Sequence, residues 1–237
     1  MKAMILAAGR GQRLRPLTDT CPKPLLKAGG ERLIETHLRA LARAGIDEVI
    51  INTAWLGEQF PAALGDGARF GLRITYSFEG GTGLETGGGI LNALPLLGCR
   101  PFLLVNGDIA LDLDLSVLAL PAGALAQLVV VDPAPGAAGD FGLDDAARLH
   151  PVPGAARAVT YAGVGVLHPA LFAGWREAIA ADEATGTPPA FRLAPLLRHA
   201  MRRTAVHGHL HRGRWTDAGT PESLARLDAE LRARQSD

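Results

Sequence analysis

The sequence predicts an α/β fold: a Rossmann-like, mainly parallel (mixed) sheet flanked by helices, with a small β-rich lobe. Three observations carry this. Short apolar and β-branched runs alternate with helical stretches up to residue 131, the rhythm of a doubly wound sheet. Two of these runs end in turn residues, at Gly9 and at Asn106-Gly107-Asp108. Residues 132–157 then change character, becoming rich in Gly, Pro, Ala and Asp, which reads as hairpins and loops.

Residues 4–8 form the first strand. Residues 33–44 carry Leu33, Ile34, Leu38, Leu41 and Ala42 at helical spacing and stop at Gly45. A β-branched strand follows at 48–52, a short helix at 56–64 and an alternating strand at 72–76. Residues 86–97 make a helix that opens in glycines, and 101–105 a wholly apolar strand. Strands follow at 124–131, 160–167 and 204–209, with helices at 171–181 and 190–202. The last helix spans 221–234, with Thr220 as its cap, Pro221 in its first turn and Glu222 at its positive end.

At 237 residues the chain can bury a substantial core. Lys and Arg balance Asp and Glu, for a formal net charge of zero. That excludes the general basic surface of a nucleic-acid or membrane binder. No apolar run approaches the roughly 18 residues that span a bilayer. Arg10 interrupts the N-terminal apolar stretch, which argues against a signal peptide. Cys21 and Cys99 stand far apart without metal-ligand spacing and read as free thiols. A cytoplasmic protein is expected.

Against this neutral background, residues 8–25 concentrate charge: Arg10, Arg13, Arg15 and Lys23 share one loop with Gly9 and Gly11. Glycine lets the backbone approach a ligand, amides point at oxygens, and the cations neutralise them, so the loop suits a polyphosphate. Gly9-Arg10-Gly11-Gln12-Arg13-Leu14 starts like a dinucleotide fingerprint but has Leu at the third glycine, and no P-loop motif occurs. In an open α/β sheet, ligands bind beyond the carboxyl ends of strands. The glycine loop, the Asn106-Gly107-Asp108 turn and Trp215-Thr216-Asp217 are placed to meet there. His207, His209 and His211 alternate on a strand; without a closed ligand set they read as exposed strand residues rather than a zinc site.

Leu6-Ala7-Ala8-Gly9-Arg10-Gly11-Gln12-Arg13-Leu14, Pro16-Leu17-Thr18 and Pro22-Lys23-Pro24-Leu25 together resemble the sugar-nucleotide pyrophosphorylases, nucleotidyltransferases that act on sugar 1-phosphates. The likeness continues through Leu84-Glu85-Thr86-Gly87-Gly88-Gly89-Ile90, Asn106-Gly107-Asp108 and Trp215-Thr216-Asp217-Ala218-Gly219-Thr220. It implies one nucleotidyltransferase domain, residues 1–131 being the nucleotide core and 132–237 the sugar side and a C-terminal metal-ligand segment. It implies UTP and a sugar 1-phosphate as substrates, N-acetylmuramate α-1-phosphate of cell-wall recycling being the preferred ester. The alternatives are glucose 1-phosphate with dTTP or UTP, mannose 1-phosphate with GTP, and a non-catalytic protein that binds a nucleotide sugar. A monomer without nucleic-acid or membrane partners is expected.

By the same resemblance, Arg13 neutralises the leaving pyrophosphate and Lys23 bridges the two reacting phosphates. The amides of Ala8, Gly9, Gly11 and Gln12 wrap the triphosphate. Asp108 and Asp217 are the Mg²⁺ ligands, Asp108 counting also as catalytic. Glu79, Gly87 and Gly88 are candidates for the base, although Glu79 also suits a solvated loop and the glycines also suit tight packing. Asn106, Asp140, Gly142 and Gly163 are candidates for the sugar. Larger members carry a Glu-Lys-Pro lysine for the sugar phosphate; no such motif lies between Val131 and Thr160, which leaves Lys23, with Arg10 or Arg15, to manage that charge.

Overall fold

The segment Glu-Val-Ile-Ile-Asn-Thr has β-branched residues in succession without polar alternation, the pattern of a strand covered on both faces. In the computed structural model, which describes residues 1–154 and 156–235, it is the strand Glu48–Thr53. Val49, Ile50 and Ile51 are buried. It pairs in parallel with Lys2–Leu6 on one side and Arg73–Phe78 on the other. The register sets Leu6 beside Asn52 and Asn52 beside Ser77. The carboxyl ends of these strands therefore emerge at one level.

The chain forms two compact units interleaved in sequence. One takes Ala3–Gly83, Val105–Ser116 and the chain from Gly213 onward. It holds the three parallel strands and the helices Leu33–Arg43, Gln59–Leu64 and Pro221–Gln235. Two antiparallel ribbons complete it, Lys27–Ala28 with Glu31–Arg32 and Ile109–Leu111 with Trp215–Asp217. The terminal helix begins as expected: Thr220 Oγ1 accepts the Ser223 amide at 3.2 Å, and Ser223 Oγ accepts the Thr220 amide at 3.0 Å, a reciprocal cap. Its Leu224 and Leu227 pack with Leu14, Ala28, Leu33 and Ala218. Asp228 Oδ1 accepts the Gly29 amide at 2.8 Å. Apolar burial thus ties the end of the chain to its beginning.

The other unit takes Met1–Lys2, Leu84–Leu104 and Val117–Arg212. Its long strand Arg157–Leu167 runs antiparallel to Ala126–Val131 and to Phe141–Leu143. Val206–Leu210 adds in parallel to Ala126–Val131, and Leu149–His150 closes a hairpin on Phe141–Leu143. The helices Glu85–Leu97 and Leu193–Met201 belong here. The units part elsewhere than between residues 131 and 132: residues 84–104 and 117–131 group with the later hairpins, and the terminal helix groups with the glycine loop.

Element bounds differ from expectation in a few places. The stretch 171–181 is a 3₁₀ turn, Pro169–Phe172, and a short helix, Trp175–Ala178, parted at Gly174. Its apolar residues serve packing instead: Trp175 stacks on Phe191 with ring centroids 5.0 Å apart. The following helix starts at Leu193 rather than 190, because Ala190 bridges to Thr185 and the Phe191 carbonyl accepts two amides. Among the described residues, no helix is long and apolar enough to cross a membrane.

Candidate active site

The loop after Lys2–Leu6 is held by local chemistry. Gly11 sits at φ 65°, a left-handed conformation that favours glycine. A Cβ there would lie 2.9 Å from Thr18 Cγ2 and 3.3 Å from Lys23 Cβ, so glycine also lets the loop close over Lys23. Thr18, fully buried, donates its hydroxyl to the Gly11 carbonyl at 2.9 Å. At Gly9 an added Cβ would meet nothing within 4 Å; the protein's own packing does not demand glycine there.

The four loop cations divide into two pairs. Arg10 donates to the Thr18 carbonyl at 2.8 Å and to Asp19 Oδ1 at 2.7 Å, and its guanidinium lies 3.8 Å from the centre of the Trp55 ring. Trp55 Nε1 donates to the same carbonyl at 3.0 Å. Arg15 Nε stands 3.0 Å from Asp19 Oδ1. Both arginines hold Asp19 below the ordinary carboxylate pKa, the Arg10 hydrogen bond foremost. Arg10 and Arg15 thus share one carboxylate, that of Asp19. Arg13 and Lys23 turn elsewhere.

Lys23 is 8% exposed. Its Nζ donates to Asp108 Oδ2 and lies 3.7 Å from Asp217 Oδ1. Arg13 Nη2 stands 3.7 Å from Asp217 Oδ2. Backbone pairing brings the two aspartates together: Asp217 is registered against Ile109 in the short ribbon, and the Ala218 amide donates to the Asp108 carbonyl at 2.9 Å. Gly107 donates its amide to the Leu6 carbonyl at 2.9 Å, and a Cβ at 107 would lie 2.8 Å from that oxygen. Glycine thus lets the Asp108 turn sit against the first strand. Asn106, half-buried, ends the strand Phe102–Asn106 just before this turn.

Asp217 Oδ1 is buried and has no hydrogen-bond partner. The Lys23 ammonium at 3.7 Å is its ion partner but lies beyond hydrogen-bond reach, and a cation in direct contact would satisfy the oxygen. Among the described residues, no group of three or more His, Cys, Asp or Glu side chains could hold a metal ion by itself. Two carboxylates suffice for Mg²⁺, which completes its octahedron with phosphate oxygens and water. The pair Asp108 and Asp217 fits that donor set.

His37, in the helix Leu33–Arg43, adds a buried group that the sequence did not single out. It is 7% exposed, its Nε2 has no partner, and burial lowers its pKa to about 4, the Asp108 charge and a hydrogen bond at Ile109 opposing the shift only partly. Neutral imidazole therefore backs Asp108 near neutral pH.

Glu79 is not a solvated loop residue. It is 7% exposed, and its Oε1 accepts Asn52 Nδ2 at 2.6 Å. Gly87 and Gly88 both donate their amides to the Phe191 carbonyl, at 2.8 and 3.1 Å. A Cβ at 87 would lie 2.5 Å from the Phe191 ring, and one at 88 would lie 2.3 Å from the Pro189 carbonyl. Close packing thus requires glycine at both. In the same unit, Asp140 Oδ2 accepts the Tyr161 amide at 2.9 Å. Gly142 pairs with Ala158 and His150. Gly163, at φ 82°, sits where the register of the long strand shifts. The described residues thus bring Ala8, Gly9, Gly11, Gln12, Arg13, Lys23, Glu79, Asn106, Asp108 and Asp217 into one unit, and Gly87, Gly88, Asp140, Gly142 and Gly163 into the other.

The chain is similar along most of its length to known proteins. A chain named N-acetylmuramate α-1-phosphate uridylyltransferase from Neisseria meningitidis serogroup B is 46% identical, the match covering 93% of this chain and 94% of that one. A chain of the same name from Caulobacter vibrioides is 31% identical over 97% and 96% of the two lengths. The fold matches a Bacillus anthracis chain assigned as a glucose-1-phosphate thymidylyltransferase, solved with sucrose, at a TM-score of 0.82 and 20% identity, covering 98% of this chain and 95% of that one. The model of the nucleotidyl transferase family matches residues 2–143. On its glycine loop, its fold and these likenesses, the chain belongs to the nucleotidyl transferase family.

Proposed function

We propose that the protein is a Mg²⁺-dependent uridylyltransferase that joins UTP to a sugar 1-phosphate, N-acetylmuramate α-1-phosphate by preference, and releases pyrophosphate. The observation that carries the reading is the meeting of Arg13 and Lys23 with Asp108 and Asp217 beside the glycine loop. The full-length likeness to two proteins named for that activity supports the choice of substrates.

The chemistry needs what this site offers. An oxygen of the sugar phosphate attacks the α-phosphorus of the triphosphate, and the bond from that phosphorus to the β-phosphate bridging oxygen breaks. A phosphate monoester with a second pKa near about 6 is already ionised at neutral pH, so no general base is required. Catalysis then rests on alignment and on neutralising charge. Arg13 faces the departing pyrophosphate, and the Lys23 ammonium holds the two reacting phosphates together. The open face at Gly9 admits the triphosphate close to the backbone. Asp108 and Asp217 would hold the magnesium ion, which when bound offsets part of the triphosphate charge and orients it.

A substrate panel tests the reading. UTP, dTTP and GTP are each offered with N-acetylmuramate, N-acetylglucosamine, glucose and mannose 1-phosphates, and pyrophosphate release is followed. UTP with N-acetylmuramate α-1-phosphate should give the highest kcat/KM. A higher value for another pair reassigns the substrates, and tight binding of a UDP-sugar without turnover points to a regulatory protein.

A further inference from the structure

The strand Glu48–Thr53 ends in a buried polar side chain. Asn52 is 2% exposed. Its Oδ1 accepts the Ala7 amide at 2.7 Å, and its Nδ2 donates to Glu79 Oε1 at 2.6 Å. Glu79 is itself fixed, its amide donating to the Thr53 carbonyl at 2.9 Å. A carboxamide has one accepting and one donating end. An N–H at Ala7 calls for the oxygen there, and only an acceptor at residue 79 suits the other end. The carboxylate thus sets the orientation of Asn52, and Asn52 sets the amide from which residues 8–12 depart. A buried carboxylate is a costly device, and here its hydrogen bond points at the root of the phosphate loop.

We infer that Glu79 and Asn52 are positioning residues for the triphosphate loop, a relay that acts through the Ala7 amide. The inference rests on the transferase reading above. It predicts that both residues matter even to a ligand that has no base.

Inorganic tripolyphosphate is that ligand. Its affinity for the full-length protein is measured by calorimetry with Mg²⁺ present. Asn52→Ala and Glu79→Ala should each weaken tripolyphosphate about tenfold, the scale of a buried hydrogen bond lost with its partner left unpaired. The double variant should be no worse than the weaker single one, because the bonds act in series. Glu79→Gln should retain most of the affinity, since its carbonyl can accept from Asn52.

A reversal decides the matter even if the alanine variants fail to fold. Asn52→Asp alone sets two carboxylates face to face and should lose binding. Asn52→Asp combined with Glu79→Gln puts the amide on the other side of the pair, restores both hydrogen bonds and should recover it. If tripolyphosphate binding is unmoved by Glu79→Ala, the relay is wrong. No recovery in the reversal also overturns it. If the wild-type protein binds neither tripolyphosphate nor any nucleoside triphosphate, the transferase reading itself falls.

Discussion

Gly219 lies two residues after Asp217, and replacing it with alanine separates the needs of the fold from those of the site. An added Cβ would stand 2.6 Å from Arg13 Nη2 and 2.9 and 3.0 Å from the two Asp217 oxygens. Ordinary contact begins near about 3.5 Å, so these groups must yield by roughly half an ångström to one. The backbone at 219 is outside the left-handed region, so alanine is not strained there. Arg13 is two-thirds exposed and flexible, so it can move at little cost to folding. Alanine also stiffens the unfolded chain, which offsets part of that cost. The expected change in stability is within about 1 kcal/mol, or a few degrees of Tm at this size. The expected loss in function is larger, since misplacing reacting groups by about 1 Å can cost on the order of a hundredfold. Pyrophosphate release from UTP and N-acetylmuramate α-1-phosphate should therefore show kcat/KM down about thirty- to a hundredfold, while a calorimetric melt stays near the wild type. Activity within threefold of wild type, or a melt lowered by more than about 8 °C, would refute the reasoning.

Three more perturbations probe the same unit. Asp108→Asn should cut turnover by about a thousandfold with the fold kept, the scale of losing one preorganised electrostatic partner; wild-type turnover at saturating Mg²⁺ would remove Asp108 from the metal site. Lys23→Met should abolish turnover yet tighten binding of Mn²⁺ to the nucleotide-free protein at least fivefold, because the ammonium now beside both aspartates opposes an incoming cation; an unchanged affinity in a Mn²⁺ titration followed by paramagnetic resonance contradicts this. His37, whose pKa falls to about 4 in the fold, takes up its proton in the unfolded chain first, so stability is full above the unfolded value near 6.5 and falls with pH down to about 4. Urea unfolding should show a loss of about 2 kcal/mol between pH 7 and pH 5, flattened in His37→Gln, and an equal slope in both proteins would sink the assignment.

Much of this was legible in the sequence because the signals were local. The β-branched runs at 48–53 and 126–131 and the amphipathic helix at 33–43 fell within a residue or two of their observed bounds. The ribbon of Ile109–Leu111 with Trp215–Asp217 was not legible, since strands of three residues show no period. Yet that ribbon is what sets Asp217 beside Asp108. The terminal helix gave a clear cap signal but no sign of where it packs, which Leu224 and Leu227 decide by covering Leu14, Ala28 and Leu33. Glu79 was visible as a carboxylate near a strand end. Its inward turn depends on a partner twenty-seven residues away, which no local pattern reports.

Charge density in a sequence overstates the charge a site can apply. Four cations crowd residues 10–23, but Asp19 offsets one of the two charges of Arg10 and Arg15. The remaining two, Arg13 and Lys23, face two carboxylates, Asp108 and Asp217. At rest this quartet is balanced. A triphosphate carries more negative charge than one divalent ion cancels, and the sugar ester brings more. The one positive charge in excess, shared by Arg10 and Arg15 over Asp19, is too little to make up the difference. The remaining attraction must come from backbone N–H groups aimed at the phosphates, whose value depends on where the loop begins. That is why the buried hydrogen bond at Ala7 should matter to binding as much as an arginine does, and why its loss should leave the salt dependence of binding almost unchanged while the loss of Arg13 reduces it.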